Sequence, residues 1–322
     1  MSLAKIKEAL EKYNKFLIVA HKKPEGDAIG SMMGMYLLLK KLNKEAVMAN
    51  ADVFPDNLDC IKFAEIKQLN EINKFGYEAV IVLDCADENR TGSIKSLLKG
   101  KPVINIDHHI SNTKFADINW IDGQTSSVAE MLYHLFKKMQ VPFDIKSALS
   151  LYVGIMTDTG SFKFSNTSPQ TLKICAELLE FGIKSEEVYN SIYNRRSVEV
   201  MRLLGLSLAD LKTDKSRRIC WISVTPQILK KTGVKISECD DFIDFVKMVK
   251  TAEVAAIFYY LNKDKTKISL RSKGKIDVNE IAFFFGGGGH KLASGAEINA
   301  SLEKSEKMVI ERIEEEINKE LL

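Results

Sequence analysis

Short, continuously apolar runs alternate with helical patterns along the first half of the chain. Phe16-Leu17-Ile18-Val19-Ala20, Ala79-Val80-Ile81-Val82-Leu83 and Pro102-Val103-Ile104-Asn105-Ile106 are rich in β-branched residues and predict buried strands. Between and after them the pattern predicts a helix over 29–42, a strand over 45–49, helices near 126–139 and 145–157, and helical periodicity through 169–179. Such alternation predicts βαβ units around a mainly parallel sheet with flanking helices, an α/β fold. A polar stretch over 185–204 carries Arg195-Arg196 and reads as a connecting helix. Beyond about residue 206 strands at 218–224, 254–260 and 267–271 mix with helices at about 239–250, 277–284 and 302–317, which predicts a second, smaller α/β domain. The predicted division is 1–185, a helical linker 186–205, and 206–322, with the active site in the interdomain cleft.

The residues that close these apolar runs are the first sign of chemistry. The three predicted strands end at His21, Asp84 and Asp107-His108-His109. Open α/β sheets place their sites at the carboxyl ends of strands. Only five histidines occur, and four of them (His21, His108, His109, His290) fall in segments that look like site loops. His134 alone sits inside a helical pattern.

Composition sets outer bounds. At 322 residues, 45% hydrophobic and 28% charged, the chain is an ordinary globular protein of about two domains. A formal net charge of +3 does not by itself imply a surface built to coat nucleic acid, so any acidic ligand must be held by local charge. The five cysteines (Cys60, Cys85, Cys175, Cys220, Cys239) are widely spread and never form Cys-x-x-Cys, which argues against a disulfide framework and a zinc knuckle. No apolar stretch is long enough for export or a membrane span, so a cytoplasmic protein is expected.

The first loop, His21-Lys22-Lys23-Pro24-Glu25-Gly26-Asp27, places an imidazole and two carboxylates within seven residues. Together with Asp84, His108 and Asp158 these groups would repel one another unless divalent cations neutralised them. Asp158 ends an apolar run, Gly154-Ile155-Met156-Thr157, before Gly160; standing alone it reads equally well as a local cap. A carboxylate-rich set with some imidazole and no thiolate favours manganese or magnesium over structural zinc. Six ligands suit two ions about 4 Å apart that share a bridging carboxylate, an arrangement whose natural chemistry is phosphoester hydrolysis.

In the second domain Gly286-Gly287-Gly288-Gly289-His290-Lys291 comes after Phe285 and before Ser294, while Arg271-Ser272-Lys273 closes a predicted strand. Glycines let backbone N–H groups approach an anion, and a nearby arginine or histidine adds charge-assisted bonds. Together they read as a cradle for phosphate or nucleotide; Arg271 alone reads also as a solvated strand-end charge.

These motifs, in this order and over nearly the whole chain, resemble the DHH superfamily of phosphoesterases with its DHH-associated C-terminal domain, in the standalone nano-RNase and pAp phosphatase form. The resemblance implies removal of 5′-mononucleotides from very short oligoribonucleotides and dephosphorylation of 3′-phosphoadenosine 5′-phosphate. It implies two divalent cations, manganese preferred and magnesium the alternative. His21 and Glu25 would hold one ion, Asp27, His108 and Asp158 the other, and Asp84 would bridge them. Asp107 would orient an imidazole, and His109 would face the scissile phosphate as hydrogen-bond donor or acid. Arg271, Ser272, Lys273, Gly287, Gly288, Gly289, His290 and Ser294 would bind the remaining phosphate or terminal nucleotide. The family usually has Asp where this chain has Glu25, one methylene longer.

Few aromatic residues and modest charge favour short oligonucleotides and small nucleotides over a long polymer. The competing readings are a linear or cyclic dinucleotide phosphodiesterase, an inorganic pyrophosphatase, and a nucleotide-binding protein with little catalysis. The resemblance also leaves a homodimer open.

Overall fold

The computed structural model describes residues 3–72, 75–239 and 241–320. The chain divides into two compact units, Met1–Arg195 and Arg196–Leu322.

The first unit runs α1 (Leu3–Lys12), β1 (Lys15–Ala20), α2 (Gly26–Lys41), β2 (Glu45–Ala49), β3 (Ile66–Lys67), β4 (Ala79–Leu83), β5 (Val103–Asp107), β6 (Ile118–Ile121), α3 (Val128–Met139), α4 (Ile145–Asp158), α5 (Pro169–Leu179) and α6 (Ser185–Tyr193). These strands form one parallel sheet in the order β3-β2-β1-β4-β5-β6. Alternate strand residues bury on opposite faces, as a pleated strand requires. Phe16, Ile18, Ile81 and Ile106 enter the core with α2 to α5, whereas Leu17, Val19, Val80 and Val82 pack with Ile94 and Leu98 of a 3₁₀ segment, Glu88–Leu98. Burial on both faces explains why these strands read as continuous apolar runs.

The strand order reverses between β1 and β4, and crevices at such reversals are where open α/β sheets take ligands. Helices α2 and α4 then close on each other where glycine removes the side chain. A Cβ on Gly30 would stand 2.5 Å from the Ser150 carbonyl oxygen, and one on Gly154 would stand 2.6 Å from Ala129 Cβ and 3.0 Å from Asp27 Oδ1. The close approach brings the start of α2, with Asp27, beside the end of α4, with Asp158.

The second unit comprises α7 (Val198–Ala209), β7 (Lys212–Thr213), β8 (Ile219–Val224), α8 (Pro226–Thr232), α9 (Phe242–Lys247), β9 (Val254–Asn262), β10 (Lys265–Ser272), α10 (Val278–Phe284), β11 (Gly288–His290), β12 (Ala293–Ile298) and α11 (Leu302–Glu320). Its sheet, in the order β11-β12-β10-β9-β8-β7, is antiparallel except for the β8·β9 pair.

Three expectations change. The single connecting helix over 185–204 is two helices, α6 with Val188 and Ile192 in the core of the first unit and α7 with Val200, Leu203 and Leu204 in a core of the second. Part of the glycine run is an edge strand, β11, and α2 starts earlier than its apolar period, at Gly26. Asp240, inside the helix expected at about 239–250, lies outside the described residues. Among the described residues no cysteine forms a disulfide. Among the described residues no helix is long and apolar enough to cross a membrane.

Candidate metal centre and phosphate cradle

The carboxyl ends of β1, β4 and β5 deliver His21, Asp84, Asp107, His108 and His109 to one place. His21 Nδ1 donates to the Lys22 carbonyl at 2.8 Å, which leaves Nε2 facing Asp84 Oδ2 at 3.3 Å. A donor on one ring nitrogen fixes the other as the ligand atom. Burial opposes the charged form of this imidazole, but the hydrogen bond and charge of Asp84 outweigh it and raise its pKa.

Asp84 is the focus of the site. Its backbone sits at φ 53°, a left-handed conformation that strains a non-glycine residue, and its side chain is buried. His108 Nε2 and His109 Nδ1 lie 3.7 and 3.6 Å from its Oδ1, beyond hydrogen-bond reach, and that oxygen has no hydrogen-bond partner among the described residues. Burial disfavours the carboxylate, yet His21, His109 and His108 hold its pKa below the usual range. An ionised, buried oxygen with no donor is what a site built for a cation contains.

Asp27 is gripped from behind. The backbone N–H groups of Val128 and Ala129, at the start of α3, donate to its Oδ2 and Oδ1 at 2.7 and 2.9 Å, and Ser31 Oγ donates to Oδ1 at 3.1 Å. Even so, burial and the charge of Asp84 push its pKa up to about 6. Burial, together with Asp27, Asp84 and Glu25, pushes Asp158 to about 8. Carboxylates this close cannot all ionise unaided, and a divalent cation relieves the repulsion.

Two overlapping sets of ligand atoms lie within 4.8 Å of one another: Asp84, His108 and His109, and Asp27, His108 and Asp158. The second set is the one expected from the sequence. Glu25 stands outside both: it occupies the position before α2 with its side chain exposed, close enough to act on Asp158 through its charge. His109 Nδ1 donates to Asp107 Oδ1 at 2.7 Å, and this bond raises its pKa. Asp107 is fully buried and also accepts from Asn112 Nδ2 at 2.6 Å.

Sequence reasoning misses the residues behind these ligands. Glu130 is buried and accepts from Ser126 N at 3.2 Å and Thr171 Oγ1 at 2.9 Å, while Asn166 reaches both Ser126 and Asp158. An acid one turn into α3 is the only available signal, and in the sequence it reads equally as a surface charge.

In the second unit, strand alternation sorts the predicted phosphate-binding residues. Arg271 shares the half-exposed face of β10 with Ser269 and Lys267, and pairs across the sheet with Ala293, which pairs with His290. The next row is Ser269, Gly295 and Gly288. An open cavity of about 420 Å³ is lined by Arg271 and Ala293 of the first row, by Ser269, Gly295 and Gly288 of the second, and by Gly289. Gly287 is glycine because a Cβ there would meet the Gly295 carbonyl oxygen at 2.2 Å. Ser272 is not among the residues lining this cavity, whereas Ser294 is, with its hydroxyl committed to a backbone carbonyl. One residue further along their strands, they are buried; Ser272 Oγ accepts from Gly274 N and Ser294 Oγ donates to the Val278 carbonyl. Lys273 is held elsewhere, with Nζ donating to the Val249 carbonyl at 2.6 Å.

The fold and this cluster of carboxylates and imidazoles, which could hold metal ions, point to a class. A model of the DHH family N-terminal domain matches residues 15–155, and a DHHA1 domain model matches residues 223–319. The chain belongs to the DHH family of phosphoesterases. It is 31% identical to a Thermus thermophilus protein named bifunctional oligoribonuclease and PAP phosphatase NrnA, over 98% of this chain and 94% of that one. It is 29% identical to the Bacillus subtilis protein of the same name, over 89% and 90% of the two chains. The crystal structure of an exopolyphosphatase-related protein from Bacteroides fragilis superposes with a TM-score of 0.88 at 28% identity, covering 96% of this chain and 94% of that one.

Proposed function

We propose that this chain is a divalent-cation-dependent phosphoesterase that shortens very small oligoribonucleotides to 5′-mononucleotides and converts 3′-phosphoadenosine 5′-phosphate to AMP. The observation that carries the reading is the unpartnered, buried Asp84 Oδ1 among three imidazoles, beside the Asp27, His108 and Asp158 cluster. The names of the full-length relatives support the substrate class.

His21, Asp84, Asp27, His108 and Asp158 would hold two cations, with manganese the proposed metal. Cations there would acidify the attacking water and neutralise phosphate oxygens. The chain's own residues supply the rest. His109, held by Asp107 through Nδ1 and with its pKa raised, keeps Nε2 to donate a proton to the leaving sugar oxygen as the phosphorus–oxygen bond breaks. Val128 and Ala129 fix the orientation of Asp27. Arg271 and His290 would bind a substrate phosphate through charge-assisted bonds.

The test is hydrolysis of a 5′-labelled ladder from dinucleotide to pentanucleotide, alongside 3′-phosphoadenosine 5′-phosphate, cyclic di-AMP and pyrophosphate, with manganese and with chelator. The proposal expects manganese-dependent release of 5′-mononucleotides and AMP. Rapid turnover of pyrophosphate or cyclic dinucleotide with inert oligonucleotides contradicts it.

A further inference from the structure

Asp27 and Asp158 come from the start of one helix and the end of another, yet a cation between them needs a fixed carboxylate spacing. We infer that Asn166 is the positioning residue that sets this spacing, an inference that rests on the cation reading above. Its Nδ2 donates to the Ser126 carbonyl at 2.9 Å and to the Asp158 carbonyl at 3.2 Å, and lies 3.4 Å from Asp158 Oδ2. The other end of this tie is the segment 126–129, whose Val128 and Ala129 N–H groups hold both oxygens of Asp27. One amide therefore links the two carboxylates through a single short stretch of backbone. Glu130 anchors the same stretch from within α3 by accepting from Ser126 N.

The orientation of the amide is unambiguous. Its nitrogen meets three oxygens, so a flipped side chain would turn its own oxygen toward three acceptors. The observed orientation leaves Asn166 Oδ1 buried without a hydrogen-bond partner among the described residues. Pairing the Ser126 and Asp158 carbonyls is a structural service of this amide and holding Asp158 against Asp27 a second, so a binding readout as well as stability is needed to separate the two roles. The backbone just upstream is also constrained: Gly160, Ser161 and Phe162 all have positive φ, which folds the chain back so that Asn166 reaches Asp158.

The test is manganese titration calorimetry on the metal-free full chain, with dinucleotide kinetics as a second readout. Asn166→Leu keeps the bulk and removes the donor; Asn166→Ser is milder and decides the matter if the leucine variant does not fold. Thr167→Val, at the adjacent residue, is the control. Wild type and Thr167→Val should bind two manganese ions with matching affinities. The Asn166 variants should weaken one ion by about 10- to 100-fold and leave the other unchanged. Their kcat should fall with little change in KM. A lowered melting temperature with both affinities intact would assign Asn166 to folding alone and overturn the inference. A wild-type chain that binds no manganese would remove the cation reading, and this inference with it.

Discussion

His109 donates from Nδ1 to Asp107 Oδ1 at 2.7 Å, and Asp107 is the fully buried end of a polar network that also takes Asn112 Nδ2 and, through it, Asn105 Oδ1. The carboxylate fixes the ring and favours its protonated form. Asp107→Asn keeps the shape and removes the charge, so kcat on a 5′-phosphorylated dinucleotide should fall by about 10- to 100-fold while KM changes little. Steady-state kinetics checks this, and an unchanged kcat would remove His109 from the proton transfer.

Gly30→Ala tests the contact that brings Asp27 to Asp158. Alanine gains about 1 kcal/mol of helix propensity over glycine. Its Cβ, however, would lie 2.5 Å from the Ser150 carbonyl oxygen, a backbone atom that cannot rotate away. Overpacking of this kind costs about 1–3 kcal/mol. Urea denaturation should therefore show a net loss, and weaker manganese binding should accompany it.

Stability without cations should fall as pH rises. Asp27 and Asp158, raised to about 6 and about 8, bind protons in the folded chain more tightly than at their unfolded value of about 3.9. The folded state then holds more protons than the unfolded one between about pH 4 and pH 8, so stability declines across that window. In chelator, Asp158→Asn should gain melting temperature over wild type as pH rises from 5.5 to about 8.5, and manganese should stabilise wild type more at the upper end. A pH-independent difference between the two chains would contradict this.

The cradle on the second unit makes a contrasting pair. Arg271→Ala should raise KM for a dinucleotide by about 10-fold or more, the loss of one charge-assisted contact. Ser272→Ala, one residue along but turned to the buried side of β10, should leave KM unchanged. Equal effects would mean that the alternation does not sort these residues.

The parallel sheet was legible because its central strands are buried on both faces and read as unbroken apolar runs, as Phe16 to Ala20 and Ala79 to Leu83 do. Of the candidate metal-binding residues, His21, Asp84 and His108 stood out because they come at the ends of those runs, whereas Asp27 and Asp158 lie at a helix start and a helix end. Strand β6 was not, because Ile118–Ile121 is four residues long with a polar asparagine inside it. Strand β11 hid behind glycines, which carry no hydrophobic period, and β12 (Ala293–Ile298) is made mostly of small and polar residues. Pairing of Asp27 with Val128 and Ala129 N–H groups joins residues about a hundred positions apart through backbone atoms, and leaves no mark in residue type. The exposure of Glu25 was equally hidden, since nothing in its spacing tells which way a side chain at a helix start points.

Asp84 is where the two-cation reading is most exposed to disproof, and the decisive measurement is hydrolysis of a 5′-phosphorylated dinucleotide by Asp84→Asn at saturating manganese. Asparagine keeps the shape of the residue but removes the charge facing His21, His108 and His109. If Asp84 bridges two cations, kcat should drop by at least about 100-fold, in line with removing a main electrostatic element of a site. Turnover within a few-fold of wild type would contradict the bridge and the mechanism built on it.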